Sequence, residues 1–336
     1  MSGPLRIPAA LALAACALWP VLGCQTTPPP SLSKLRATLK SLQEKAVEEY
    51  ELGEYTDSLA TLEKIEILSR GMDDLVHLAN AYNNMAAVHF EIKDFEAARK
   101  YLNLALALNR KSDAEDAQAA VAENLLNLGS LYTAMGNQTK AEEYSSQAEK
   151  VFEELGDESG LVQVLRNRGK IKESLADYPS AIVLYSEAQD RSRSIGDFRL
   201  TASILADIGG VRVKMGEYKK ALAAYRTALR SDKDNEIFIG VAKDLRLIGA
   251  VYEKIGDLDR ALEYHLRALN VYRIRIGHVP WIRSQIETVL TLARKLKDKE
   301  AVEKYTKMLE ELSEEGEKKK EPQESPEKPG ETDAGK

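Results

Sequence analysis

The sequence predicts an all-α solenoid of about seven antiparallel helix pairs. Three observations lead there. A frame of small and aromatic residues recurs along the chain, segment 35–270 holds one proline (Pro179), and strand-type alternation is scarce. The frame is clearest in LRLIGAVYEKIGDLDRALEYHLRAL (residues 245–269), with Gly249, Tyr252, Gly256, Ala261 and Ala268. It returns as Gly129, Tyr132, Gly136, Ala141 and Ala148. Its first small residue stands at Ala46, Ala86, Gly129, Gly169, Gly209 and Gly249. Its second falls at Ser58, Ala98, Ala141, Ala181, Ala221, Ala261 and Ala301, in steps of 40, 43, 40, 40, 40 and 40 residues.

Two antiparallel helices approach closely only where the side chains at their crossing are small. The Gly249 and Ala261 types of position supply that crossing. The third small residue (Ala105, Ala148, Ala188, Ala228, Ala268) lies two turns on and lets the next pair dock. One pair cannot bury its own apolar faces, so neighbours stack.

The small-x6-Gly-x4-Ala-x6-Ala pattern resembles the tetratricopeptide repeat in at least five consecutive units, covering roughly Leu35 to Leu312. That resemblance implies a right-handed superhelix. The 40-residue period is similar to the long repeats of kinesin light chain and the spindle-orientation adaptors. The motif residues are structural, so they predict the fold more sharply than the function.

The chain starts differently. Arg6 precedes an uncharged apolar run, Ile7 to Gly23, which reads as a signal peptide over residues 1–23. Val21-Leu22-Gly23-Cys24 closes the run and resembles a bacterial lipobox, which implies lipidation at Cys24. Leu13-Ala14-Ala15-Cys16 is the alternative, and an uncleaved membrane anchor is a second one. Residues 24–34, with three consecutive prolines, read as a stiff tether. Gln25, in place of an aspartate after the cysteine, implies an outer-membrane address facing the periplasm.

Residues 35–312 form the solenoid. Within the pairs it breaks at Gly53-Glu54, Lys93-Asp94, Gly136-Asn137, Ala176-Asp177, Gly216-Glu217, Gly256-Asp257 and Lys297-Asp298. Between pairs it breaks at Gly71, Ser112-Asp113, Gly156-Asp157, Gly196-Asp197, Asp232-Asp234 and Gly277. Glycine then an acidic residue suits a left-handed helix end followed by a new N-cap. Pro179 and Pro280 sit where a helix begins. Residues 313–336 contain no Leu, Ile, Val, Phe, Tyr or Trp and read as a disordered charged tail.

Composition narrows the chemistry. A net charge of -6 argues against a nucleic-acid partner. Both cysteines lie in the leader, so the body has no disulfide, thiolate metal site or thiol nucleophile. His77, His89, His265 and His278 form no metal-ligand spacing. No P-loop, GxSxG or strand-following GxGxxG occurs, so the reading is a protein that is not an enzyme, with no cofactor, no metal and no small-molecule substrate.

In tetratricopeptide-like solenoids the first helix of each pair lines the groove. Two residues before the Gly249 type of position lie Asn84, Asn127 and Asn167, then Asp207. Such a ladder either pairs with the backbone of an extended peptide or bonds neighbouring helices together. Beside it lies a basic stretch with Arg166, Arg168, Lys170, Lys172, Arg212, Lys214, Lys243 and Arg246, suited to an acidic segment or to long stems lying over apolar surface. The candidate groove is therefore Asn84, Asn127, Asn167, Arg166, Lys170, Asp207, Lys243 and Arg246.

These readings converge on a membrane-anchored scaffold that binds a protein or peptide in its groove, as an envelope assembly factor would. The alternative is a regulator similar to peptide-sensing receptors built from long repeats.

Overall fold

The computed structural model describes residues 31–114 and 116–318, with side chains up to residue 312. The signal segment 1–23, Cys24 and the tail beyond residue 318 lie outside the described residues. Fourteen α-helices and no strand occur among the described residues, stacked as a right-handed superhelical solenoid.

The first pair is α1 (Leu32–Glu51) and α2 (Tyr55–Gly71); the second is α3 (Leu75–Glu91) and α4 (Phe95–Asn109). The third is α5 (Ala117–Ala134) and α6 (Gln138–Leu155); the fourth is α7 (Glu158–Ser174) and α8 (Tyr178–Ser194). The fifth is α9 (Phe198–Lys214) and α10 (Tyr218–Asp234); the sixth is α11 (Phe238–Ile255) and α12 (Leu258–Val271). A π-turn, Tyr272–Ile276, extends α12 before α13 (Val279–Leu296) and α14 (Lys299–Lys318) complete the seventh.

The ends of these helices follow from local chemistry. Asp74, Asp94, Asn137, Asp157, Asp177, Asp197 and Asp257 each accept a hydrogen bond from the backbone N–H three residues on. The turns before them need a left-handed residue. Glycine supplies it at Gly136 and Gly256, while Lys93, Ala176 and Lys297 adopt it with φ of 63°, 58° and 59°.

Three boundaries differ from the sequence reading. Ser31 Oγ caps α1 through the N–H of Lys34, so residues 32–34 are helical rather than tether. Helix α14 continues six residues past Leu312. Helix α10 runs through the polar stretch at Asp232-Asp234, and the left-handed turn comes later, at Glu236. A buried Asp232 holds that last turn in the core, which polarity alone did not signal. The extra residues of the 43-residue step fall between α4 and α5.

The alanines Ala141, Ala181, Ala221 and Ala261 and their partners Ala148, Ala188, Ala228 and Ala268 are fully buried at the helix crossings. The glycines do something the spacing did not reveal. A Cβ on Gly169 would stand 2.5 Å from the ring of Tyr185, and one on Gly209 2.5 Å from Tyr225. On Gly249 it would meet His265 at 2.7 Å. Each glycine thus makes room for a ring from the second helix of its own pair. Pairs one and two carry Ala46 with Leu62 and Ala86 with Leu102 at the same stations, where a slimmer side chain leaves room for a methyl.

The two ends of the solenoid meet. Arg199, at the start of α9, reaches Glu51 at the end of α1, 3.3 Å away. Glu54, between α1 and α2, lies 3.4 Å from His278, ahead of α13. A Cβ on Gly53 would stand 3.8 Å from Trp281 Nε1. The turn of the first pair therefore lies against the start of α9 and against the start of the seventh pair.

Candidate functional site

First helices of successive pairs touch directly (α1 with α3, α5 with α7, α9 with α11), so they form the inner side of the curve. Their polar side chains make a chain of contacts along it. Asn124 Nδ2 and Asn127 Nδ2 both donate to Asn83 Oδ1, at 3.0 and 2.9 Å. Asn109 Nδ2 donates to Asn124 Oδ1 at 2.7 Å. Asn167 Nδ2 donates to the carbonyl of Leu126 at 3.3 Å and to Ser145 Oγ at 3.4 Å. Ser130 Oγ donates to Asn167 Oδ1 at 3.1 Å.

The three asparagines of the spacing do not bond to one another: Asn127 joins Asn83, and Asn167 ties α7 to α5 and α6. Asn167 is only 2 % exposed, with both ends of its amide engaged. Its position therefore favours the helix-tying reading over a grip on a peptide. Asn127 is half-buried and lines a cavity of 220 Å³ with Asn83, Phe90 and Glu91. Asn84 lines a smaller one of 60 Å³ beside Tyr50. Asn83, the acceptor that unites the network, sits one residue off the frame, and its doublet with Asn84 was the only signal for it.

The basic stretch divides into paired and unpaired cations. Arg166 Nε donates to Asp207 Oδ2 at 2.5 Å, so these two candidates join α7 to α9. Lys214 pairs with Glu173 at 2.8 Å across the same two helices. Arg168 points away from the hollow to Glu142 and Glu149 on α6, and Arg212 pairs with Glu217. Lys170, Lys243 and Arg246 have no carboxylate partner among the described residues, and all three are exposed.

Lys170 is open to water yet surrounded by protein. Desolvation holds its ammonium below the usual lysine value, and the nearby Arg166 and Lys243 add to this, against Asp207 and Glu173. A crowded cation beside other cations is an electrostatic attractor for an anionic group. Arg246 donates to the hydroxyl of Tyr272 at 3.4 Å. The wall built from α7, α9 and α11 is thus net positive within an acidic chain.

The histidines take structural places. His77 bonds its own cap, Asp74, at 2.9 Å, and His89 stacks on Tyr101. His265 stands where Tyr185 and Tyr225 stand in earlier pairs, bonded to Glu253 at 3.1 Å and to Gln285. Burial lowers its imidazole's affinity for a proton, with Glu253 opposing. No cluster of three or more metal-binding side chains occurs among the described residues. No described helix is long and apolar enough to cross a membrane.

Comparison with known proteins supports the architecture. No curated protein matches the chain in sequence. Among solved structures, the Rap conjugation gene regulator of plasmid pLS20 with the Phr* peptide is similar, at 15% identity and a TM-score of 0.57. That match covers 90% of this chain and 81% of the other. A Rap protein complexed with competence and sporulation factor is similar at 13% identity and a TM-score of 0.51, covering 86% of this chain and 100% of that one. The signal-transduction ATPase with a tetratricopeptide sensor from Pyrococcus horikoshii is similar at 17% identity and a TM-score of 0.51. There the match covers 80% of this chain but 43% of the other. At these identities the likeness is one of fold. Models of the tetratricopeptide repeat match residues 77–154, 118–194, 160–234 and 245–275, together more than half of the chain. With its helix pairs, its small-residue crossings and these matches, the chain belongs to the tetratricopeptide-repeat proteins.

Proposed function

We propose that this protein is an interaction scaffold that receives an acidic segment of a partner protein along the inner wall of α7, α9 and α11. One observation carries the reading: Lys170, Lys243 and Arg246 face solvent without carboxylate partners, while the neighbouring Asp207 and Glu173 are already paired. An acidic chain that leaves these three inner cations without a carboxylate among the described residues selects an anionic partner by charge complementarity. One solenoid of like fold has been solved with a peptide and another with competence and sporulation factor, which makes a peptide a fitting occupant of this hollow as well.

Fluorescence anisotropy with labelled hexaglutamate tests this. Binding is expected to weaken with added salt and to fall at least tenfold in Lys170→Glu, with hexaglutamine not binding. Equal binding of the two peptides contradicts it.

The scaffold is further proposed to be lipid-anchored at Cys24 in a bacterial envelope, on the outer membrane facing the periplasm. The apolar run ending at that cysteine and the proline tether after it support the anchor. Cys24→Ala is expected to move the protein from the membrane fraction to the soluble one and to abolish metabolic lipid labelling. A variant that remains processed, labelled and membrane-bound rejects the assignment. A second reading, a regulator whose solenoid tightens on a peptide, gains support from the meeting of the two ends through Glu54 and His278.

A further inference from the structure

Where the ends of the solenoid meet, they line a chamber of 730 Å³, open to solvent on one side, that neither end forms alone. Tyr50 and Tyr55 come from the first pair; Tyr272 and Trp281 face them from the last two. Lys243 and Arg246 line the same space from α11. The two carboxylates present, Glu51 and Glu91, already have company: Glu51 pairs with Arg199 at 3.3 Å and Glu91 accepts from Tyr50 Oη at 3.4 Å. Tyr50 stays a neutral donor, because burial and Glu91 push its hydroxyl up to about 12.

We propose that this chamber is a discrete binding site for one part of a peptide, a carboxylate flanked by a bulky apolar side chain. The carboxylate would be held by Lys243 and Arg246, and the apolar group would lie among Tyr50, Tyr55, Tyr272 and Trp281. This rests on the acidic-segment reading above and places its anchoring point. Rigid aromatic walls offer large contact area at little entropic cost, and flanking cations fix the polar end. Since opposite ends of the chain supply the walls, occupancy joins the first pair to the sixth and seventh. The bound state is therefore the closed one. Such coupling needs only that the ligand touch both walls in one conformation and one wall in the other.

The test uses the full chain with Trp19→Phe, which leaves Trp281 as the sole indole. Three acetylated, amidated peptides serve as probes: alternating Glu and Leu, alternating Gln and Leu, and alternating Glu and Ser. The Glu–Leu peptide is expected to bind at least tenfold more tightly than either of the others and to shift Trp281 emission. Lys243→Ala with Arg246→Ala is expected to weaken it at least tenfold while circular dichroism still shows a folded helical chain, since both side chains are exposed. Glu–Leu binding that leaves Trp281 emission unmoved overturns the chamber. So does binding that survives loss of Lys243 and Arg246 but fails in Lys170→Glu; that outcome keeps the acidic-segment reading. Failure of both acidic peptides to bind overturns the two together.

Discussion

Gly169→Ala is expected to destabilise the solenoid by roughly 1–3 kcal/mol, the range for overpacking a filled core. Helix propensity acts the other way, favouring alanine by about 1 kcal/mol. Packing wins because the new methyl would stand 2.5 Å from the ring of Tyr185, which is fully buried. The ring cannot simply turn aside, since its hydroxyl donates to Glu173 Oε2 at 2.8 Å. The repeats themselves suggest a rescue. Pairs one and two carry alanine opposite leucine, Ala46 with Leu62 and Ala86 with Leu102. Gly169→Ala combined with Tyr185→Leu is therefore expected to recover much of the loss, whereas Tyr185→Leu alone leaves a cavity beside Gly169. Thermal denaturation of the three variants reads the effect. Additive losses in the double variant would show that the two positions do not pack as described.

Asp244→Asn is expected to have the opposite sign. Asp244 is 2 % exposed, and its Oδ2 has no hydrogen-bond partner among the described residues. Burial, then the nearby Asp232, push its carboxyl up to about 8, while burial raises Asp232 to about 6. Their titrations belong to the pair, which sits between α10 and α11. A carboxyl whose native value lies above its ordinary one contributes its stability while protonated. That contribution is complete below about pH 4 and is lost as pH rises through about 8. The amide has no charge to desolvate, so the variant should gain on the order of 2–4 kcal/mol at pH 8.5 and little at pH 4. Elsewhere the chain already uses this solution. Asn109 and Asn124 occupy the corresponding stations between α4 and α5 and bond at 2.7 Å. Denaturant melts of both proteins between pH 4 and 9 check the prediction; parallel curves across that range contradict it.

How much of this was legible differs by feature. The solenoid was, because a small residue every 40 positions has one geometric use and the steps recur. The turns at Lys93, Ala176 and Lys297 were legible too, since their place in the period outweighed the missing glycine. What the glycines make room for was hidden. The frame records where a side chain is small but not which ring fills the space, and Tyr185, Tyr225 and His265 differ in type. The asparagine ladder was visible as a spacing but not as a set of bonds. Asn127 and Asn167 hold the same station in the frame, yet one amide lines a cavity and the other is buried, because the side chains each one meets differ. Arg166 and Asp207 stood as two separate candidates until adjacent helices brought them to 2.5 Å. The meeting of Glu51 with Arg199 was out of reach altogether. It depends on curvature accumulated over three intervening pairs, which no local pattern encodes.

The central claim is that partners are recognised on the inner wall through its unpaired cations. Site-specific photocrosslinking tests it most directly. A photoreactive residue would replace Ala250, exposed one turn from Arg246, or Val183, exposed at 66 % on the second helix of its pair. Adducts formed by the full chain in its native cells would then be mapped to partner residues by mass spectrometry. The account predicts an acidic partner segment attached at position 250, absent at 183, and lost when Lys170→Glu and Lys243→Glu are combined. The same partner segment captured from position 183, or capture at 250 that survives both charge reversals, would contradict it.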